Sequence, residues 1–484
     1  MTAQPQDLAF PDEPFRASQP AAAAVRPFTL PEVHRFELAN GIQVYLVEQH
    51  HLPLVSLDLN FDGGALTDPP GIDGLASVAT SMLTEGTEQL DKLRYSEALA
   101  DVASTINAYA GDDSQGLGLA SLTKHLPETF ALFAATLRSP GLRQSDLDRM
   151  IKRRIEAVKQ ARGNPTAIPG RVSSAVLYGP AHPFGTVITE QTLAAITLAA
   201  CRQQLATWMQ PRGARLFVVG DLTEAQIRDL FAQSALADWE GTPPPLPEPP
   251  PPATMAGRIF FVHVAGTPQA TVMLMEHGPL RTAPDYFANT MMAGVFGGSF
   301  TSRLNMNLRE DKGFAYGARG GLSYSKHYGT LAASASVQTA STYQAVLEID
   351  RELKGMWTGA KPVTADELGR EKLNATLALP ARFATAQAAL GQYRSLVYYG
   401  LPLDYFNTYA DHVNAVTAAE VNAAAADHLN PAPAVFLVVG DGNAMMTVDG
   451  ASVPLRQALI ELAARGDVGA GGFVELDVDG RVVR

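Results

Sequence analysis

Ten histidines are the first residues to test for chemistry: His34, His50, His51, His125, His182, His263, His277, His327, His412 and His428. No two of them lie three to five residues apart, the interval at which a helix presents a pair of metal ligands. The single cysteine, Cys201, excludes an intramolecular disulfide and any multi-cysteine metal site, and it reads as a small buried apolar residue. No G-x-S-x-G nucleophile elbow, phosphate-binding P-loop or dinucleotide-binding glycine fingerprint occurs. The segment Gly294-x-x-Gly297-Gly298-Ser299 is rich in glycine but has neither the lysine nor the spacing of a phosphate loop. It reads as a tight turn at which two stretches of backbone approach closely.

The elements that would position any site must come from 484 residues, enough for about three domains as a prior and for several sizeable cores. Lys and Arg number 37 against 49 Asp and Glu, a net charge of −12, which argues against nonspecific binding to nucleic acid. The longest basic run is Lys152-Arg153-Arg154, and no stretch of 18 apolar residues is present to span a membrane as a helix. Residues 1–29 are rich in Pro and polar residues and read as an extended arm, without the basic start and long apolar stretch of a signal peptide.

The chain reads as a duplication. Residues 243–252 are PPPLPEPPPP, a semi-rigid polyproline spacer close to the middle. The flanks carry matching landmarks offset by about 220 residues: Tyr178-Gly179 with Tyr399-Gly400, Ile196-Thr197 with Val416-Thr417, and Phe217-Val-Val-Gly-Asp221 with Leu437-Val-Val-Gly-Asp441. The expected division is an arm (1–29), a first half (30–240), a linker (241–255) and a second half (256–484) with an extension after 441. Each half opens with alternating strands, such as Gln43–Glu48 and Val55–Phe61. A helix follows Gly63-Gly64, with Leu75, Val78, Ala79 and Met82 on one face. Further helices are expected over 124–138 and 145–162. Apolar strands at Ala214–Val219 and Ala434–Val439 close the halves, and the extension holds a helix over 454–464 and a hairpin around Asp479-Gly480. Strands and helices fall into blocks, so the expected fold class is α+β with mainly antiparallel sheets.

Two segments then resemble one family, the pitrilysin/insulinase-type zinc peptidases (inverzincins), which include mitochondrial processing peptidase. In that family the first half carries G-x-x-H-x-x-E-H followed by Gly-Thr. This chain reads Gly74-Leu-Ala-Ser77-Val-Ala-Thr80-Ser81 and continues to Gly86-Thr87 without a gap, with hydroxyls at the three chemical positions. Hydroxyl side chains are poor zinc ligands and too weakly basic to activate water. The family's third ligand, a Glu on a later helix, falls at Ala157 here, with Glu156 one position away. The second half reads Phe296-Gly-Gly-Ser-Phe-Thr-Ser-Arg303-Leu through Leu308-Arg309-Glu to Gly313 and Tyr316. This resembles the family's second-half signature, in which an Arg and a Tyr seven residues apart hold the substrate backbone and stabilise the oxyanion. The resemblance thus implies substrate-binding roles for Arg309 and Tyr316, and two tandem halves closing as a clam-shell. Asn107-Ala108 resembles the segment beside the family's substrate-binding edge strand.

A chain that keeps Arg and Tyr but lacks H-x-x-E-H resembles one subunit of a split enzyme. The implied role is the non-catalytic subunit of a heterodimeric zinc metallopeptidase, inactive alone, whose homologous partner carries H-x-x-E-H and the zinc. The implied substrate is a peptide or unfolded protein segment added to a sheet edge, and the implied compartment is the periplasm, with the cytoplasm as the alternative. Core subunits of respiratory complexes also resemble the family, which leaves an inactive scaffold as the other reading. Either way no zinc is expected in this chain, and metal analysis of the purified protein should return well under one zinc per chain.

Overall fold

The computed structural model describes residues 13–18, 30–253 and 256–483. The expected N-terminal arm lies outside the described residues except for 13–18, where Pro14–Ala17 form one turn of 3-10 helix. The first half builds one six-stranded sheet from β1 (His34–Glu37), β2 (Gln43–Glu48), β3 (Leu54–Asp62), β4 (Thr105–Ala110), β5 (Ser114–Leu122) and β6 (Arg215–Gly220), in the order β1-β2-β6-β3-β5-β4. The second half repeats the plan with β7 (Arg258–His263), β8 (Gln269–Gly278), β9 (Ala315–Tyr324), β10 (Gly329–Gln338) and β11 (Val435–Gly440). After a small hairpin of β12 (Met445–Val448) and β13 (Ala451–Pro454), the C-terminal β14 (Gly472–Leu476) completes the order β14-β7-β11-β8-β10-β9. Pairing is antiparallel except β2 with β6, β7 with β11 and β7 with β14. The fold is α+β, with two helix-packed six-stranded sheets and, among the described residues, no closed barrel.

The same strand order recurs in both halves, so the edge strands β4 and β9 occupy equivalent places, with a bulge in the β9–β10 pairing that β4–β5 lacks, and the far edge differs in its source. There β1 comes from the start of the chain and β14 from its end. The expected helices occur at Leu126–Arg138, Gln144–Arg162 and Leu455–Arg465. The C-terminal turn is closed by Leu476 pairing with Val482. Its Asp479 accepts from Arg162 Nε and Arg171 Nη2, both at 2.8 Å, which ties the tail back to the first half.

Alternation along the opening strands does not mean one wet face. In β2 the residues Val44 to Val47 are all buried, and in β3 so are Val55 to Phe61, including Ser56, Asp58 and Asn60. The reason is an exchange of helices. Helix Ile168–Tyr178, from the first half, sets Ile168, Val172 and Val176 against Phe260, Val262, Val435, Leu437 and Val439 of the second sheet. Helix Ala386–Tyr398, from the second half, sets Leu390 and Tyr393 in one core with Tyr45, Val47, Phe217 and Val219 of the first sheet. The two helices are copies of one element. Each ends at the duplicated Tyr-Gly, and Gly179 and Gly400 take φ of 88° and 67°, the left-handed geometry that stops a helix.

Polar groups on the covered faces find partners across the exchange. Asp58, 4 % exposed, accepts from Tyr109 Oη (2.7 Å) and from Arg394 Nη1 (3.2 Å), and the Arg394 guanidinium lies 5.1 Å from the Tyr109 ring centroid. Burial pushes the Asp58 carboxyl above its ordinary value, against the pull of Arg394 and Tyr109. Tyr398 Oη donates to Asp113 at 2.6 Å. The proline-rich segment is docked as well: Pro250 O contacts His182 Nε2 at 2.7 Å and accepts from Tyr328 Oη at 2.6 Å, within an aromatic cluster that includes Tyr178 and Phe184.

A buried carboxyl on the second sheet has no such partner. Glu276 follows Val272 and Leu274 on the inner face of β8, is 2 % exposed, and its Oε1 has no hydrogen bond. Burial alone pushes it up to about 8 from an ordinary 4.5. The folded state therefore holds this proton longer than the unfolded chain, so stability falls as pH rises from about 4.5 to about 8. The limit is about 5 kcal/mol. Urea unfolding at pH 5 and pH 8 should show this slope, and Glu276→Met should flatten it. In the same assay Arg394→Met should cost about 2–3 kcal/mol by stranding the Asp58 carboxylate, and Asp58→Asn added to it should recover more than half.

Candidate functional site

Helix Leu75–Leu83 begins where Asp68 caps it, with Oδ2 accepting from Gly74 N and Oδ1 from Ala76 N, both at 2.7 Å. Burial pushes Asp68 up to about 6, opposed by those two amides. Leu75, Val78, Ala79, Met82 and Leu83 face the core. Ser77 and Ser81 share one face, one turn apart, and Ser81 Oγ donates to Ser77 O at 2.7 Å. Thr80 turns away from them: it is fully buried and donates to Gln115 Oε1 on β5 at 3.2 Å. The three positions of the degenerate motif therefore do not converge on a single point.

A cation lies against the two serines. Arg154, on helix Gln144–Arg162, donates from Nη1 to Ser77 Oγ (3.0 Å) and from Nη2 to Ser81 Oγ (2.9 Å) and Ser77 O (3.2 Å). The two positions weighed for a third ligand point elsewhere. Ala157 is exposed, and Glu156 is exposed and paired with Lys159 at 2.9 Å. Neutral hydroxyls around a guanidinium do not fit a zinc ion, which needs imidazole, thiolate or carboxylate donors. Among the described residues no group of three His, Cys, Asp or Glu side chains is placed to hold a metal. A cleft of about 420 Å³ remains over this helix, lined in part by Ser77, Arg171, Phe184 and the end of edge strand β4. Asn107-Ala108 lie on that strand.

The second-half motif is built differently. Helix Tyr286–Ala293 passes into a π-turn at Gly294–Gly298. Gly297 is held so close to β9 that a Cβ there would lie 2.5 Å from Gly320 N, which accounts for the glycine-rich stretch. Arg303 forms a bidentate pair with Glu367 (2.8 and 2.9 Å) and donates to the carbonyls of Lys361 and Pro362. Burial works against the Glu367 carboxylate, but Arg303 and the Thr364 donors hold it down at about 2. Asn305 ties the motif to β9 by accepting from Ala318 N (3.0 Å) and donating to Phe300 O (2.7 Å). Leu304 and Leu308 are buried.

On this frame Arg309 and Tyr316 come together. Arg309 sits in the π-helical turn Met306–Asp311, Gly313 at φ 63° ends the turn, and Tyr316 stands on edge strand β9 with 90 % of its surface exposed. The Arg309 guanidinium lies 5.6 Å from the Tyr316 ring centroid and 4.7 Å from that of Phe300, itself 65 % exposed, and Nε is 3.3 Å from Glu310 Oε1. Stacking between exposed rings is worth about 0.5–1 kcal/mol per contact, enough to orient the guanidinium and leave donors free. The pair presents a guanidinium and a phenol side by side, donors suited to a peptide carbonyl or a developing negative charge.

Phe300 and Arg154 are the neighbours that sequence reasoning missed. Phe300 stands inside the motif, two residues past Gly298. Arg154 falls in the one basic run, Lys152-Arg153-Arg154, and is the member of it that turns inward.

Comparison with known proteins agrees with this anatomy. Residues 43–178 match the family described as Insulinase (Peptidase family M16), and residues 195–374 match the Peptidase M16 inactive domain. The chain is 24% identical over 391 residues to a protein of Helicobacter pylori named Non-peptidase homolog YmxG, covering 79% of this chain and 88% of that one. In structure it is similar to a peptidase M16 inactive domain from Pseudomonas fluorescens, with TM-score 0.77, 24% identity, and 85% of this chain and 98% of that one covered. A chain of complex III2 from Candida albicans shares the fold at TM-score 0.67 and 14% identity, over 84% of this chain and 96% of that one. Two M16 matches, one within the first half and one running from its end across the linker into the second, and the motifs that lie within them place the chain in the insulinase (M16) peptidase family, as a member whose first half lacks H-x-x-E-H.

Proposed function

We propose that this chain is the non-catalytic subunit of a two-chain zinc peptidase, lending Arg309 and Tyr316 to the active site of a homologous partner that carries H-x-x-E-H. The observation that carries the reading is the exposed, stacked Phe300–Arg309–Tyr316 group beside edge strand β9. A packing role would bury a tyrosine, and a surface arginine does not need two rings to set its direction. The substrate is a peptide or unfolded segment that extends a sheet edge through backbone hydrogen bonds. The charge of −12 favours neutral or basic segments. The periplasm as the working compartment is part of the same proposal.

The loss of the first-half motif, together with the Non-peptidase name of the Helicobacter relative, also supports a second reading: an inactive scaffold of an assembly. The two readings separate in one experiment. The chain is captured from its native extract, partners present in near-equal amount are identified, and peptide turnover by the complex is measured with Arg309→Ala and Tyr316→Phe. A split peptidase predicts a partner with H-x-x-E-H and a loss of at least a hundredfold in kcat for Arg309→Ala, with assembly by size-exclusion chromatography unchanged. Unchanged turnover removes Arg309 from the site. A complex without any zinc peptidase chain makes the protein a scaffold.

A further inference from the structure

The helices that meet at the degenerate motif are joined by a charge. Arg154 reaches from helix Gln144–Arg162 to helix Leu75–Leu83, and its three hydrogen bonds end on two hydroxyls and a carbonyl of that helix. The charged neighbour that acts on it is Arg153, another cation, while the buried Cys201 thiol, pushed up to about 11 by burial, is neutral. Among the described residues no carboxylate pairs with it, and burial lowers the guanidinium from its ordinary value. A half-buried cation without a counter-ion is costly to keep unless neutral oxygens replace its water. Ser77 Oγ, Ser81 Oγ and Ser77 O do so. They are also the positions from which two imidazoles at i and i+4 would reach a metal.

We propose that Arg154 is the resident cation of this seat: its guanidinium bridges the two helices and excludes divalent metal from the space between Ser77, Ser81 and the long helix. This goes beyond the lost ligands, because restoring ligands alone would not restore the site. A divalent ion held by residues 77 and 81 would lie within a few ångströms of a fixed positive charge, where repulsion is weakly screened. The inference is independent of any role for Arg309 and Tyr316.

Zinc and cobalt binding by the full chain tests the exclusion, read by calorimetry and by the visible spectrum of bound cobalt. Ser77→His with Ser81→His, Arg154 retained, should bind zinc at least a hundredfold more weakly than the same double variant with Arg154→Ala. Affinities within threefold of each other would overturn the exclusion. Amide exchange in the otherwise natural sequence tests the bridge. Arg154→Ala should speed exchange across residues 75–83 at least tenfold relative to the rest of the first half, and Arg154→Lys should restore part of the protection. Unchanged exchange would overturn the bridge. Should the histidine variants fail to fold, the exchange measurement on the natural background decides alone, and unchanged protection there counts against the whole proposal.

Discussion

A twisted six-stranded sheet has two faces to keep from water, and in this chain neither half covers both faces of its own sheet. Each half lends one helix, ending in the same Tyr-Gly, to the open face of the other sheet. Four apolar side chains leave water along helix Ile168–Tyr178 alone. At about 1.5–3 kcal/mol for each buried Val, Ile or Leu, one exchanged helix contributes as much as the whole net stability of an ordinary domain, about 5–15 kcal/mol. The exchange therefore sets the relative position of the halves and with it the placement of everything they carry. On the covered face of β3, Asp58 is met by Arg394 and Tyr109 and Asn60 by Tyr109 and Arg215, and the docked Pro250 and the C-terminal Asp479 add further ties between the halves.

Much of this was legible in the residues, and the gaps have physical causes. The repeated Tyr-Gly and the two Val-Val-Gly-Asp strand ends revealed the duplication because both are backbone constraints, a helix stop and a strand end, which resist drift. The degenerate Gly74 to Thr87 frame was readable because its glycines still shape the helix ends after the chemistry has gone. What alternation along β2 and β3 could not reveal was the second burial. A polar residue every second position looks the same whether water or a helix some 330 residues away covers it. Nor could spacing show which member of Lys152-Arg153-Arg154 turns inward, since that depends on the rotation of a long helix against its neighbour. Glu276 was open to reading as a carboxylate in phase with Ala270, Val272 and Leu274.

The two copies have diverged in opposite directions from one plan. In the first, hydroxyl groups and an internal guanidinium close the place where the family does its chemistry, while the cleft above it and edge strand β4 remain. In the second, the frame around Gly297, Arg303 and Asn305 is tied down by short backbone approaches and a bidentate ion pair, and the Arg309–Tyr316 group it carries stays at the surface. Rigid support beneath an exposed polar group is the arrangement expected of a binding element, since order is maintained where no packing requires it.

The exchange also dictates an order of events during synthesis. Arg394 meets Asp58 across 336 residues of chain. Until helix Ala386–Tyr398 has left the ribosome, the sheet face bearing Tyr45, Val47, Phe217 and Val219 has no cover. At translation rates of about 5–20 residues per second, that face stays bare for on the order of ten seconds or more after the first half is complete. Contacts this distant in sequence also form slowly once the chain is free. The covered state of the first sheet is thus reached only after the second half has emerged.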